Sequence, residues 1–261
     1  MPDRAHLREV QYADDSNFNA RFELHRRYGT GPARFHRWVF DQLRLPPDAA
    51  VLELGCGPGH FWEANADRVP AAWRVVLTDF SAGMIAAAGR RLGDRAAYAV
   101  ADAEALPFAA GGFHAAIANH MLYHVPDRRR AARELARVLR PDGVLLAATN
   151  GADHLRELDE LAARWAPDGR IARSGAAFSL ENGAEQLMAG FGRVDVLEHR
   201  GELVVTEAEP VAAYVRSMTT VDWDVASLRA EVAELIERHG AFRIRTHAGV
   251  FVAGAPIQSG T

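Results

Sequence analysis

The chain has 261 residues, a formal net charge of −4, 49% apolar and 25% charged residues, which suits a globular fold with one large core. The near-neutral balance and scattered basic residues give no footprint for nucleic acid, and the one dense run, Arg128–Arg129–Arg130, reads as a solvated helix face. No apolar run approaches the ~20 residues of a membrane span, the start MPDRAHLREVQ lacks a signal-peptide core, and the single cysteine rules out an internal disulfide, so a cytoplasmic protein is expected.

In chain order, residues 1–50 are helical in pattern. Phe18, Phe22, His25 and Tyr28 recur at helical spacing, with Asp15 or Ser16 as a cap. A second helix over 32–44 carries Phe35, Trp38, Val39 and Leu43 and is stopped by Pro46–Pro47. From 49 to 150, short apolar runs predict strands at 49–54, 73–79, 96–102, 114–119 and 143–150. Continuous apolar runs suit strands buried on both faces. Helices are expected between them near 60–67, 82–92 and 128–140. Such alternation predicts a doubly wound α/β sheet, mostly parallel. After 150 the rhythm breaks. Helices are expected at 153–165, 181–190, 207–217 and 225–239, with strands at 194–199 and 242–254. No linker is visible, so 1–261 reads as one domain: a helical lid over 1–48, a cofactor-binding core over 49–150, and cap segments with the final strands over 151–261.

In an open parallel sheet the ligand sits beyond the carboxyl ends of the strands. The first core strand ends in ELGCGPG, where Gly55, Gly57 and Gly59 permit a sharp turn and close approach to a ligand. A dinucleotide fingerprint needs a small residue where His60 stands, and the lysine of a phosphate-binding P-loop is missing. Asp79 ends the second strand, 24 residues after Gly55, where a carboxylate can accept from both hydroxyls of a ribose or act as a turn acid. Asp102 and the Ala103 amide could pair with the edge of adenine, and Phe80 and Met84 could cover its faces. Asp102 also reads as an ordinary loop acid.

These motifs resemble those of class I S-adenosylmethionine-dependent methyltransferases. VLELGCGPG is similar to that family's first motif, with Glu53 leading the loop, and VVLTDFSAGM and ADAEALPF are similar to the next two. FHAAIANHMLYHVPD and LRPDGVLLAAT resemble the fourth and fifth strands with the helix between. The likeness covers about 50–150 and is strongest to the small-molecule branch, ubiquinone-biosynthesis-type or methyltransferase type 11. It implies a Rossmann-like seven-stranded sheet whose last strand is antiparallel, N-terminal helices and a helical cap. It implies S-adenosylmethionine as methyl donor, with S-adenosylhomocysteine as product. It puts Gly55, Cys56, Gly57 and Asn119 near the methionyl part, Asp79 on the ribose, and Phe80, Met84, Asp102 and Ala103 around the adenine.

The lone Cys56 reads as a small apolar residue that the loop can tolerate, rather than as a nucleophile. His120 and His124 stand four apart, but Met121 occupies the glutamate position of the H-E-x-x-H zinc pattern and Pro126 opposes a regular helix, so no metal is expected. His124 reads as scaffold. His120 is the first candidate for a general base, its ordinary pKa near 6.5 being suitable, with an orienting role as the alternative. His25 and Tyr28 are further catalytic candidates. Trp165, Phe178, Met218 and Trp223 in the cap suggest an apolar or aromatic acceptor. Methyl transfer to a small, natural-product-like metabolite is the leading reading. A non-methylating cyclase or binding protein, a nicotinamide-dependent oxidoreductase, and a methyltransferase for RNA or protein are the others. Oligomeric state has no signal in the sequence.

Overall fold

The computed structural model describes residues 16–30, 35–165, 174–218 and 224–257. Trp223 lies outside these, as do Asp15 and the side chains of Phe18 and Met218. The described chain runs α1 (Ser16–Tyr28), β1 (Gly29–Thr30), α2 (Phe35–Phe40), β2 (Ala50–Leu54), α3 (His60–Ala64), β3 (Arg74–Asp79) and α4 (Ala82–Leu92). It continues with β4 (Ala97–Val100), β5 (Phe113–Asn119), α5 (Arg128–Val138), β6 (Leu139–Asn150), α6 (Arg156–Ala162) and α7 (Gly183–Leu187). It ends with β7 (Phe191–Val205), α8 (Ala208–Met218), α9 (Val225–His239) and β8 (Phe242–Pro256). None of the described helices is long and apolar enough to cross a membrane.

The strands form one sheet in the order β1-β7-β8-β6-β5-β2-β3-β4. β2, β3, β4, β5 and β6 pair in parallel, whereas β8 lies antiparallel to both β6 and β7. The expected antiparallel last strand is present, but the sheet has eight strands rather than seven. The addition is the two-residue β1, which pairs with Leu203 and Glu202 of β7. No hydrophobic period announces so short a strand; its partner makes it one.

Local chemistry explains the central elements. All five residues of β2 are buried, as a strand covered by helices on both faces requires. Ser81 caps α4 by accepting the Met84 N–H, and Met84, Ala87, Ala88 and Leu92 turn one face of that helix inward. Asp127 caps α5 through the Arg130 N–H. The arginine run that opens α5 is not simply solvated. Arg128 donates to Gln186 and Arg129 pairs with Glu185, tying α5 to α7.

Two apolar layers cover the sheet faces, one centred on Leu52, Leu135, Leu145 and Phe251, the other on Val51, Phe61, Leu77 and Ile117. A third cluster joins Leu24 of α1, Leu158 of α6, Val211 and Val215 of α8, Leu228 and Val232 of α9, and Ile244 of β8. It fastens α1 and the late helices to the β7–β8 end of the sheet. The expected cap over that end is therefore packed on its own core. Strand order reverses between β2 and its neighbours β3 and β5, and the ligand crevice of an open α/β sheet forms at that switch.

Candidate functional site

A cavity of about 600 Å³ opens along the carboxyl ends of β2, β3, β5 and β6. Its first half is built on the glycine loop. Gly55, Gly57 and Gly59 have φ of 62°, 52° and 85°, a left-handed path that other residues adopt only with strain. A Cβ on Gly55 would come within 2.6 Å of the Met121 Cβ, so the loop also needs the missing side chain for space. Asp79 closes the loop from the neighbouring strand: its Oδ2 accepts the Gly57 N–H at 3.0 Å and its Oδ1 accepts the Ser81 N–H at 2.8 Å. With about four lone-pair sites, the carboxylate still has capacity for a ligand hydroxyl beside these N–H groups and that of Phe80. Burial raises the carboxyl above its ordinary pKa, and these backbone N–H groups act against that rise.

Phe80, Met84, Asp102 and Ala103 line the cavity beside Asp79. Asp102 shapes its own turn by accepting the Glu104 N–H at 2.9 Å. On the other side of the loop, Glu53 is buried at the floor, where Trp62 Nε1 donates to it at 2.6 Å and Asn119 Nδ2 at 3.1 Å. Burial pushes its carboxyl up to about 7 despite these donors. By accepting both bonds, the Glu53 carboxyl group holds Asn119 and Trp62. Asn119 Oδ1 is buried without a partner among the described residues. Cys56 is buried, and burial raises its thiol well above the ordinary range, which suits a small packing residue.

The second half runs over β6, β8 and β7, beneath α1. His120 follows β5 with φ 51°, held by its own N–H to Ala148 O at 3.0 Å. It is thereby separated from His124, which ends a 3-10 turn over Leu122–His124. No group of three His, Cys, Asp or Glu among the described residues is arranged to hold a metal ion. His124 nevertheless faces the cavity, so its place is in the wall as well as the scaffold. His25 of α1 lines the cavity too, stacked 5.6 Å from His154 with an interplanar angle of 9°. Tyr28 does not line it. Its ring is buried among the third apolar cluster. Two aromatic residues of the cap also turn elsewhere: Phe178 packs on Phe251 in the core, and Trp165 Nε1 donates to Glu231.

Three wall histidines had no individual signal in the sequence: His36, His154 and His199. His60, expected only to exclude a dinucleotide, is where α1 docks. Phe22 of α1 stacks on its ring at 4.1 Å and 5°, and its Nε2 lies 2.9 Å from Asn19 Oδ1. Burial lowers the pKa of His25, His36 and His124 to about 4 and that of His120 to about 3, and holds His154 well below the ordinary range. These five imidazoles are neutral at physiological pH, and His120 is a weak proton acceptor in this setting.

Residues 52–147 match a family described as a methyltransferase domain. Over those residues the chain is similar to a methyltransferase domain. A malonyl-[acyl-carrier protein] O-methyltransferase of Legionella pneumophila is 36% identical over 118 residues, 44% of this chain and 41% of that protein. The chain spans less than half the length of the curated relatives it matches. Among solved structures, a phosphoethanolamine N-methyltransferase of Haemonchus contortus, in complex with phosphomonomethylethanolamine and S-adenosylhomocysteine, aligns with a TM-score of 0.61 and 18% identity. That alignment covers 97% of this chain and 60% of that one. The [4+2]-cyclase SpnF aligns with a TM-score of 0.57 and 20% identity, covering 95% and 96%. Both likenesses concern the fold. The match of the methyltransferase domain spans β2 to β6 and so takes in the glycine loop, Asp79, Asp102 and His120, whereas α1, β7 and β8 lie outside it.

Proposed function

We propose that this chain transfers a methyl group from S-adenosylmethionine to a small, apolar or aromatic metabolite. Tailoring of a natural product is the leading case. The observation that carries the reading is the Asp79 carboxylate, bonded to the glycine loop and facing the same cavity as His120. Asp79 would accept from the ribose hydroxyls, and Asp102 and Ala103 would meet the adenine edge between Phe80 and Met84. Gly55, Gly57 and Asn119 would take the methionyl end, with Glu53 holding Asn119 from beneath. When bound, the donor supplies an electrophilic methyl group on a positively charged sulfur. The protein's part is alignment and exclusion of water. Phe22 stacked on His60 covers the donor half, and His120 orients the acceptor beyond the sulfur.

A second reading is retained because the [4+2]-cyclase shares the fold: a chain that keeps the donor pocket without transferring methyl. Calorimetry with S-adenosylhomocysteine, followed by transfer of labelled methyl into a small-metabolite fraction, separates the two. Binding with transfer supports the first reading. Binding without transfer supports the second, and no binding overturns both. Lid, core and cap act together as one domain in the cytoplasm.

A further inference from the structure

Building on the methyl-transfer reading, we infer that the acceptor half of the cavity receives an oxygen acid as its conjugate base, a carboxylate or an ionised enol or phenol, with the Nε2–H of His154 donating to the anionic oxygen. The decisive contact lies behind the histidine. The His247 backbone N–H donates to His154 Nδ1 at 3.1 Å. A neutral imidazole whose Nδ1 accepts must carry its proton on Nε2. His154 lines the cavity, and no partner is bonded to its Nε2 among the described residues. The ring is therefore a donor with a fixed tautomer, braced by the parallel ring of His25 and open towards a ligand.

The charges around this half point the same way. The carboxyl groups of Glu53, Asp79 and Asp102 belong to the donor half. Glu202, at the mouth, is paired with Arg243. An amine acceptor would arrive as an ammonium ion, and this wall offers it no carboxylate outside those engagements. It would also meet the positive sulfur at close range. Arg21 also lines the cavity, its guanidinium donating to Ser217, and adds positive potential for an entering anion, whereas Arg26 and Arg27 are ion-paired with Glu23 and Glu207. Burial keeps the imidazoles neutral, so they add N–H donors without repelling the sulfur.

The chemistry then balances without a base. The anionic oxygen gives an electron pair to the methyl carbon while the carbon–sulfur bond breaks, its pair staying on sulfur as a thioether. The acid's proton has left to solvent before entry, so a weakly basic His120 is no obstacle. His154 is a positioning donor here.

The test uses the full chain saturated with S-adenosylhomocysteine, with benzoate, 4-nitrophenolate, benzyl alcohol and benzylamine as probes, read by ligand-observed NMR. The two anions are expected to bind at least ~10-fold tighter than the alcohol and the amine. His154→Phe keeps the stacking surface and should erase that preference, while affinity for S-adenosylhomocysteine stays within about twofold. His154→Gln, which restores a donor, should recover most of it and guards against a merely structural effect. Equal or weaker binding of the anions, undetectable binding included, overturns the inference, as does a preference that survives in His154→Phe. Failure of S-adenosylhomocysteine to bind would instead sink the methyl-transfer reading, and the four probes can still be ranked without it.

Discussion

Asp79 and Gly57 are a single working part: the carboxylate that faces the ligand also accepts the Gly57 N–H at 3.0 Å and so sets the path of the glycine loop. Removing the side chain withdraws the ligand's acceptor and loosens the turn together. Asp79→Ala should weaken S-adenosylhomocysteine binding by ~100-fold or more in calorimetry, since hydrogen bonds to a charged group are worth ~1.5–3 kcal/mol each. Asp79→Asn, which retains one acceptor, should fall between. Near-wild-type affinity in the alanine variant would remove Asp79 from the donor site.

His120 should matter for turnover more than for donor affinity. His120→Ala is expected to lower kcat with the true acceptor by ~10-fold or more while the donor's Kd changes by less than about threefold. With its pKa pushed down to about 3, His120 should not give the kcat profile of the parent an inflection near the ordinary histidine value. Unchanged kcat in the variant would take His120 out of the reaction.

Phe22 stacked on His60 is the ring contact that holds α1 beside the donor half. Phe22→Ala removes the stacking on His60 and should raise the donor's Kd ~10-fold, mainly by faster release in stopped-flow measurements. A release rate equal to the parent's would mean that α1 does not cover the donor.

Stability should fall on mild acidification. Five cavity imidazoles have folded pKa values below the ordinary 6.5, so the unfolded chain takes up protons that the folded chain refuses. Their contribution is complete above about pH 6.5 and is lost as pH drops towards about 4. Glu53 acts in the opposite sense. Raised to about 7, it favours the fold at low pH and loses that contribution as pH rises through about 7. Asp79, also raised by burial, acts in the same sense as Glu53, but five imidazoles against two carboxyls still make acidification destabilising, and the melting temperature should drop by roughly 5 °C or more between pH 7 and pH 5. A flat profile would show that the imidazoles are not held neutral.

The central sheet was legible because burial on both faces leaves continuous apolar runs, as in the AVLEL of β2. The bounds of α4 and α9 were legible as well, because Ser81 and Asp224 cap them and Gly93 and Gly240 close them. β7 runs well past the expected VDVLEH at both ends, since its outer face is largely exposed and its later residues are strand only through pairing with β8 and β1. The cavity was half legible. Asp79 and Asp102 follow strands in sequence, so order alone predicts them. His25, His36 and His154 come from three separate elements and meet His120 only in the folded chain. The tautomer of His154 depends on a backbone N–H 93 residues away. Phe178 carries no mark that distinguishes a core aromatic from a cavity one.

The left-handed backbone at His120 has a consequence for the protein's endurance. A residue with a Cβ held at φ 51° costs roughly 1–3 kcal/mol, a cost that the proposed role of the imidazole beside the acceptor would offset. A library selected for heat resistance alone should therefore favour Gly or Asn at position 120, and its survivors should last longer and work worse.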